Sequence, residues 1–255
     1  MNIGIIQGRL SKPTEGFQEC PKAWQQEFAL LPMLQLSHIE WIITYNNYFS
    51  NPILKQPVDT YPISSICCDF IINDQFCDIK FLQKYLYPVC EIAQKNKITR
   101  VTIPLLEKSS IFDAEQRNNF INVFKHVIYD FGDLQFLIES DVDINKVQEV
   151  LDIKDNIFIT YDTGNITSSR IDHAKYIKQL HSKIKCVHIK DRTLDARTVM
   201  PGRGDTNFDL IFDNLSQVDY NGYYTLQTCR ENNGLERQTV AKHLSIVKAY
   251  YEKYF

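Results

Sequence analysis

Two hydrophobic patterns alternate along the chain. Short runs that are almost continuously apolar, rich in Ile, Val, Tyr and Phe, occur at 3–7 (IGIIQ), 38–43 (HIEWII), 63–70 (ISSICCDF), 100–106 (RVTIPLL), 135–140 (QFLIES), 156–162 (NIFITYD), 185–190 (KCVHIK) and 223–229 (YYTLQTC). Strands buried on both faces of a parallel sheet read this way. Between them lie longer amphipathic stretches that predict helices. CPKAWQQEFALLPMLQ follows the first strand, with Pro21 suited to a first helical turn and Pro32 expected to kink or end the helix. Trp24, Phe28 and Leu31 stand at helical spacing and read as core. FDAEQRNNFINVFKHVIYDFG follows the fourth strand, with Gly132 as the expected C-terminal cap. The second strand is followed by NNYFSNPILKQPVDTYP, too rich in Asn and Pro to predict a helix.

Eight strands alternating with helices favour an α/β protein of the (β/α)8 TIM barrel class, with residues 1–255 as one domain. About 250 residues is the ordinary size of such a barrel. The competing doubly wound sheet lacks its usual nucleotide motif, since IIQGRLSKP and no G-x-G-x-x-G follows the first strand.

Composition narrows the partners. The formal charge is −3 and there is no basic block, so nothing points to nucleic acid or to an anionic membrane. No run approaches about 18 apolar residues, and the N-terminus lacks the pattern of a signal peptide. The seven cysteines are odd in number, irregular in spacing and without C-x-x-C, which reads as reduced thiols in a cytoplasmic protein. A small-molecule partner fits best. Self-association into a homo-oligomer stays open.

In a barrel the chemistry sits at the C-terminal ends of the strands. Polar groups that end otherwise apolar strands are therefore the candidates. The fifth strand ends in Glu139 and the sixth in Asp162; the seventh carries His188 and, on the same face, Lys190; the eighth carries Gln227. Each has a plainer reading. Asp162 could cap the turn or helix that TGNITSSR begins, and His188 could be a structural histidine. Together, two carboxylates inside a barrel need a cation or base nearby. Carboxylates and imidazole suit a divalent ion such as Mn²⁺, Mg²⁺, Co²⁺ or Zn²⁺. Glu40 reads as lining the pocket or pairing with Arg9, and Asp69 has a similar position near the end of the third strand. Lys190 and Arg192 could hold a carbonyl, carboxylate or phosphate, or form salt bridges with Asp191 or Asp141. PGRGD (201–205) could approach ligand oxygens or be a plain turn.

IGIIQGRL, FALLPMLQLSHIEWI, ISSICCDF, LIESD, YDTGN, VHIKDR and PGRGDTNFDLIFDNL together resemble the xylose isomerase-like barrel superfamily. That group includes sugar epimerases and isomerases, inosose dehydratases and an AP endonuclease branch. The chain looks most like the sugar phosphate isomerase/epimerase type. The resemblance implies a divalent metal held by Glu139, Asp162, His188 and the position of Gln227, where the family has Glu. In the epimerases two Glu flank the substrate, one taking and one returning a proton beside a carbonyl through a metal-bound enediolate. Gln227 cannot take a proton, so the symmetric mechanism does not carry over. Asn165 stands where the endonuclease branch has a His ligand, and most of the six histidines fall in predicted helices, which disfavours that branch. The resulting expectation is a metal-dependent sugar or sugar phosphate isomerase/epimerase. Glu139 would be its base and Lys190 its second proton donor, with Glu40, Asp69 and Arg192 contacting substrate. A lyase or dehydratase, and a non-catalytic carbohydrate-binding barrel, are the alternatives.

Overall fold

In the computed structural model, residues 1–13, 20–73, 76–231 and 234–255 are described. The apolar runs form the strands β1 (Asn2–Ile6), β2 (Ile39–Ile42), β3 (Ile63–Cys67), β4 (Arg100–Leu105), β5 (Gln135–Ser140), β6 (Ile157–Asp162) and β7 (Ile184–Ile189). A short antiparallel pair follows, β8 (Asp191–Arg192) with β9 (Thr198–Val199), and β10 (Tyr223–Leu226) completes the set. The order β1-β10-β7-β6-β5-β4-β3-β2 closes into a barrel, and every neighbouring pair of its eight strands is parallel. The architecture is a (β/α)8 TIM barrel, as the alternation predicts. The run 63–70 divides: only its first five residues are strand, and Asp69 opens a 3-10 turn.

The helices are α1 (Gln25–Leu34), α2 (Ile79–Phe81), α3 (Tyr87–Lys95), α4 (Ala114–Asp130), α5 (Ile144–Leu151), α6 (Thr163–Ser168), α7 (His173–Leu180), α8 (Phe208–Gln217) and α9 (Glu236–Tyr254). A π-helical segment, Leu82–Leu86, joins α2 to α3. After β2 there are only 3-10 turns, in keeping with the Asn and Pro there. Side-chain caps set several helix starts: Asp113, Asp143, Asp172 and Asn207 each accept from a backbone N–H in the first turn of α4, α5, α7 and α8. Two expectations about punctuation are corrected. Pro21 lies outside α1, which begins at Gln25, and α4 is closed by Phe131, with Gly132 in the turn beyond. Trp24, Phe28 and Leu31 are buried against the barrel as expected.

Two loops at the C-terminal ends of the strands are tied down by buried carboxylates. After β1, Gly8 takes φ 85, and its N–H and that of Leu10 donate to Glu27 of α1 at 2.8 and 3.0 Å. After β7, one Asp191 oxygen accepts from the N–H groups of Gly202 (2.8 Å), Arg203 (3.0 Å) and Gly204 (2.9 Å), and the other from Thr206 (3.2 Å). The glycine-punctuated loop therefore wraps a carboxylate of the chain itself. Its N–H groups do not face a ligand, which corrects that expectation for PGRGD. No disulfide joins any of the seven cysteines. Among the described residues no helix is long and apolar enough to cross a membrane.

Two predictions follow from packing. A Cβ at Gly4 would collide with the ring and backbone oxygen of His38, the residue just before β2. Gly4→Ala is expected to destabilise the barrel by about 3 kcal/mol or more, read by urea unfolding. The second concerns acid. His173 is buried, and burial pushes its pKa from 6.5 down to about 4. Thr167 Oγ1 donates to Thr163 O at 2.7 Å, so His173 Nε2–H donates to Thr167 (2.9 Å) and Nδ1 accepts from Tyr161 OH (2.5 Å). The neutral ring satisfies both. The unfolded chain binds a proton here below about pH 6.5 and the folded chain does not, so stability is present above 6.5 and lost as pH falls towards 4. His173→Gln should flatten the slope of unfolding free energy against pH in that window by up to about 1.4 kcal/mol per pH unit.

Candidate metal centre and active-site cavity

β7 carries His188 into the barrel, beside Asp162 of β6 and Thr225 of β10 in register. The imidazole is fully buried, and its Nε2 lies 2.6 Å from Glu40 Oε2 of β2. Burial works against a charged Glu40, but His188 and the hydrogen bonds of His188, Thr102 and Ser65 outweigh it and lower its pKa. Glu40 is thus an ionised acceptor, and Nε2 bears the proton. Its second oxygen accepts from Thr102 Oγ1 at 2.9 Å. Glu40 therefore neither lines the cavity nor pairs with Arg9, whose Nε donates to Thr228 O at 2.9 Å. That corrects both readings of Glu40: it orients the histidine from beneath.

The other ring nitrogen, Nδ1, points to the barrel mouth. It lies 3.5 Å from Glu139 Oε2 and 3.8 Å from Asp162 Oδ2, and it is buried without a hydrogen-bond partner. Asp162 does two things at once. Its Oδ1 caps α6 by accepting from Asn165 N–H at 2.7 Å, while Oδ2 faces His188 and Lys190. Asn165 in turn donates from Nδ2 to Glu139 Oε1 at 2.9 Å. One turn of helix thus aims both carboxylates. Asn165 was not among the candidate site residues; its place three positions after the capping Asp162 was the available signal.

Lys190 lies just beyond β7, where Thr163 Oγ1 accepts from its N–H (3.0 Å) and donates to its carbonyl (2.7 Å). Gly164 leaves room for its stem: a Cβ there would lie 2.9 Å from Lys190 Cγ and 3.0 Å from Arg192 Cγ. The ammonium donates to Asp162 Oδ2 at 3.3 Å and to Gln227 Oε1 at 3.1 Å. Gln227, expected as a fourth ligand, accordingly has its oxygen engaged by Lys190. Among the acidic, histidine and cysteine side chains described, three converge here: Glu139, Asp162 and His188.

Electrostatics explains what such a cluster lacks. Three buried carboxylates, Glu40, Glu139 and Asp162, face one ammonium, Lys190, leaving a formal −2 if His188 is neutral. The protein draws protons in response. Burial, reinforced by Asp162 and opposed by His188, raises the Glu139 pKa to about 7. At His188, burial disfavours the imidazolium, but Glu40 and Glu139 overcome it and raise the pKa well above 6.5. A dication would cancel the same charge. One ligand atom each from Glu139, Asp162 and His188 lies within 4.8 Å of the others. With the unpartnered Nδ1, these two oxygens and one nitrogen fit a divalent ion. Glu40, Cys186 and His188 also cluster, but there the direct Nε2–Glu40 bond takes the histidine's other nitrogen.

Above the cluster is a cavity of about 260 Å³. Glu139, Lys190, Gln227 and Arg192 line it on the β5, β7 and β10 side, with Arg9. Asp69 and Glu107 contribute acid from the β3 and β4 side, where Ile42 and Cys67 add an apolar wall. Asp162 and His188 are buried below its floor. Arg192 forms no ion pair among the described residues, though its charge is felt by Asp141.

No curated protein sequence matches the chain. Among solved structures, a D-tagatose 3-epimerase-like protein aligns with a TM-score of 0.72 at 16% identity, over 99% of this chain and 98% of the other. An IolI protein with a bound zinc atom aligns at 0.73 and 14% identity, over 100% and 99%. The probable 3-DHS dehydratase AsbF of Bacillus anthracis, involved in petrobactin synthesis, aligns at 0.70 and 15%, over 97% and 99%. At these identities the likeness is one of fold. The xylose isomerase-like TIM barrel model matches residues 81–249, about two thirds of the sequence, and the chain belongs to that family.

Proposed function

We propose that the chain is a metal-dependent enzyme of the sugar isomerase/epimerase type, moving a proton next to the carbonyl of a small polyhydroxy compound. One observation carries the reading. Glu139 is a carboxylate at the cavity wall whose pKa is raised to about 7, beside a buried histidine nitrogen with no partner. A carboxylate at the cavity wall that gives up its proton when a cation binds is suited to take one from carbon. Glu139, Asp162 and His188 would hold the metal. The chemistry such an ion would supply when bound is polarisation of a substrate carbonyl, which would acidify the C–H beside it.

The chain's own groups divide the remaining work. Glu139 Oε1 is held by Asn165, which fixes the carboxylate that takes the proton. Lys190 Nζ, between Asp162 and Gln227, supplies a proton from another side. With its oxygen on Lys190, Gln227 keeps its amide N–H groups as the donors suited to a substrate oxygen in the cavity it lines. Relatives in structure named as an epimerase-like protein and as a zinc-bound IolI protein support the class. A second reading rests on the same Lys190–Gln227 pair. One carboxylate base with an unlike acid fits elimination of water as well as proton return, and a dehydratase is among the structural neighbours.

Incubation with Mn²⁺ and a panel of ketoses in D2O should place solvent deuterium on carbon. Glu139→Gln should slow exchange by about 10²–10⁴-fold while ligand binding persists. Label-free loss of water would favour the dehydratase, and binding without any turnover in the unaltered protein would favour a non-catalytic carbohydrate binder. The metal is tested separately. Because His188 and Glu139 hold protons where a cation would sit, Mn²⁺ binding at pH 6.5 should release about one to two protons, measured by calorimetry in buffers of different ionisation enthalpy. Glu40→Gln should weaken Mn²⁺ by about 10–100-fold through loss of the histidine's support. Absence of both effects would remove the metal from this reading.

A further inference from the structure

The N-terminal end of the barrel, opposite the catalytic cavity, carries a second cavity of about 450 Å³. It lies where β1 and β10 begin, beside the turn from α8 to β10 and the last turns of α9. That volume is within the range of small-molecule pockets. Tyr220, Tyr224, Tyr251 and Tyr254 give it aromatic walls. The rings are braced. Tyr224 meets Tyr220 and Tyr251 edge-on, with ring centres 5.3 and 5.9 Å apart, and stacks on Phe212 of α8 at 6.1 Å. Tyr220 is pinned over Gly222, where a Cβ would lie 2.4 Å from its hydroxyl, and that hydroxyl donates to Tyr223 O at 2.9 Å. Side chains already fixed in this way lose little freedom when something binds.

One polar atom of this wall has no counterpart in the chain. Tyr224 is 1% exposed, and its hydroxyl is buried without a hydrogen-bond partner. Burial raises its pKa, so the group is a neutral O–H. Its neighbours show the ordinary arrangement: the hydroxyls of Tyr220 and Tyr254 donate to Tyr223 O and to Asp209 Oδ1. A buried hydroxyl left unmade costs about 1–3 kcal/mol. Phenylalanine would fill the same space without that cost. A tyrosine at this position therefore calls for an acceptor from outside the chain.

The rest of the lining defines the acceptor's chemistry. No Lys, Arg or His side chain is part of it, so nothing here matches a phosphate or carboxylate. The polar members are the amides of Asn2 and Asn221, the Ser216 hydroxyl and the Asp219 carboxylate. Aromatic walls rimmed by such groups suit a molecule with an apolar C–H face and hydroxyls at its edge. A wholly aromatic ligand would leave the polar rim unused. We propose that this cavity is a second, non-catalytic site that binds an uncharged sugar ring, with the Tyr224 hydroxyl donating to one of its oxygens. The site stands apart from the isomerase/epimerase reading, because it shares no residue with the cavity that Glu139 lines.

NMR of the protein with 13C-labelled tyrosine rings, titrated with methyl β-D-glucopyranoside, tests it. The glycoside has no free carbonyl, so proton chemistry beside a carbonyl cannot consume it. The ring signals of Tyr224 and Tyr251 should shift and saturate. Tyr224→Phe should weaken binding at least about fivefold. The same variant should leave the urea midpoint of the free protein unchanged or raised, since it removes a hydroxyl that bonds to nothing. Asn221→Ala, on the exposed rim, should weaken binding by about two- to tenfold. Glu139→Gln should leave it unchanged. The proposal is overturned if neither ring shifts, or if Tyr224→Phe binds the glycoside equally well. A lowered urea midpoint for Tyr224→Phe also overturns it, because the hydroxyl then serves the fold. So does a stronger response of these rings to phenol or methyl phosphate than to the glycoside. Shifts driven by protein concentration alone would make the occupant a second copy of the chain and end the sugar assignment.

Discussion

The mouth of this barrel depends on one contact beneath it, the 2.6 Å bond from His188 Nε2 to Glu40 Oε2. It spans the barrel interior from β7 to β2, strands that are not neighbours in the sheet. By taking the proton on Nε2 it decides which nitrogen faces the carboxylates above. It also places a third negative charge within reach of the site without exposing it. His188 owes its raised affinity for protons to Glu40 and then Glu139, against the cost of its burial, while burial first and Asp162 next raise that of Glu139. Removing one partner would leave a buried charge uncompensated, which is far costlier than the pair is worth as a bond.

Much of the fold was legible because a parallel barrel demands strands buried on both faces, and such strands stand out as apolar runs. The polar residues ending those runs, Glu139, Asp162 and His188, were legible for the same reason. The role of Glu40 was not. When both faces of a strand are buried, alternation no longer says which way a residue points, and Glu40 points to the barrel interior with Thr102. The division of labour within Asp162 was equally hidden, since a cap and a site carboxylate look alike in sequence. The grip of Asp191 on the PGRGD loop depends on N–H groups 11 to 15 residues away, which no local pattern reports.

Gln227 alters the balance of the site more than a single amide suggests. A carboxylate at that position would have neutralised Lys190 outright. The amide binds the ammonium through a dipole, so Lys190 keeps its full charge for Asp162 and for the cavity. The site thereby sets one carboxylate, Glu139, and one cation, Lys190, at the same cavity, an asymmetric pair. Such an asymmetric pair suits the proposed proton return and the alternative loss of water alike.

The Asp191 carboxylate folded into its own glycine loop has an evolutionary consequence. In proteins that cradle anions with backbone N–H groups, specificity is written into loop shape and is hard to revise. Here the loop closes on an internal anion, and the cavity-facing positions beside it are side chains on a settled frame. The side chains facing the cavity there can change without remaking the loop, because the loop's own N–H groups are already satisfied from within.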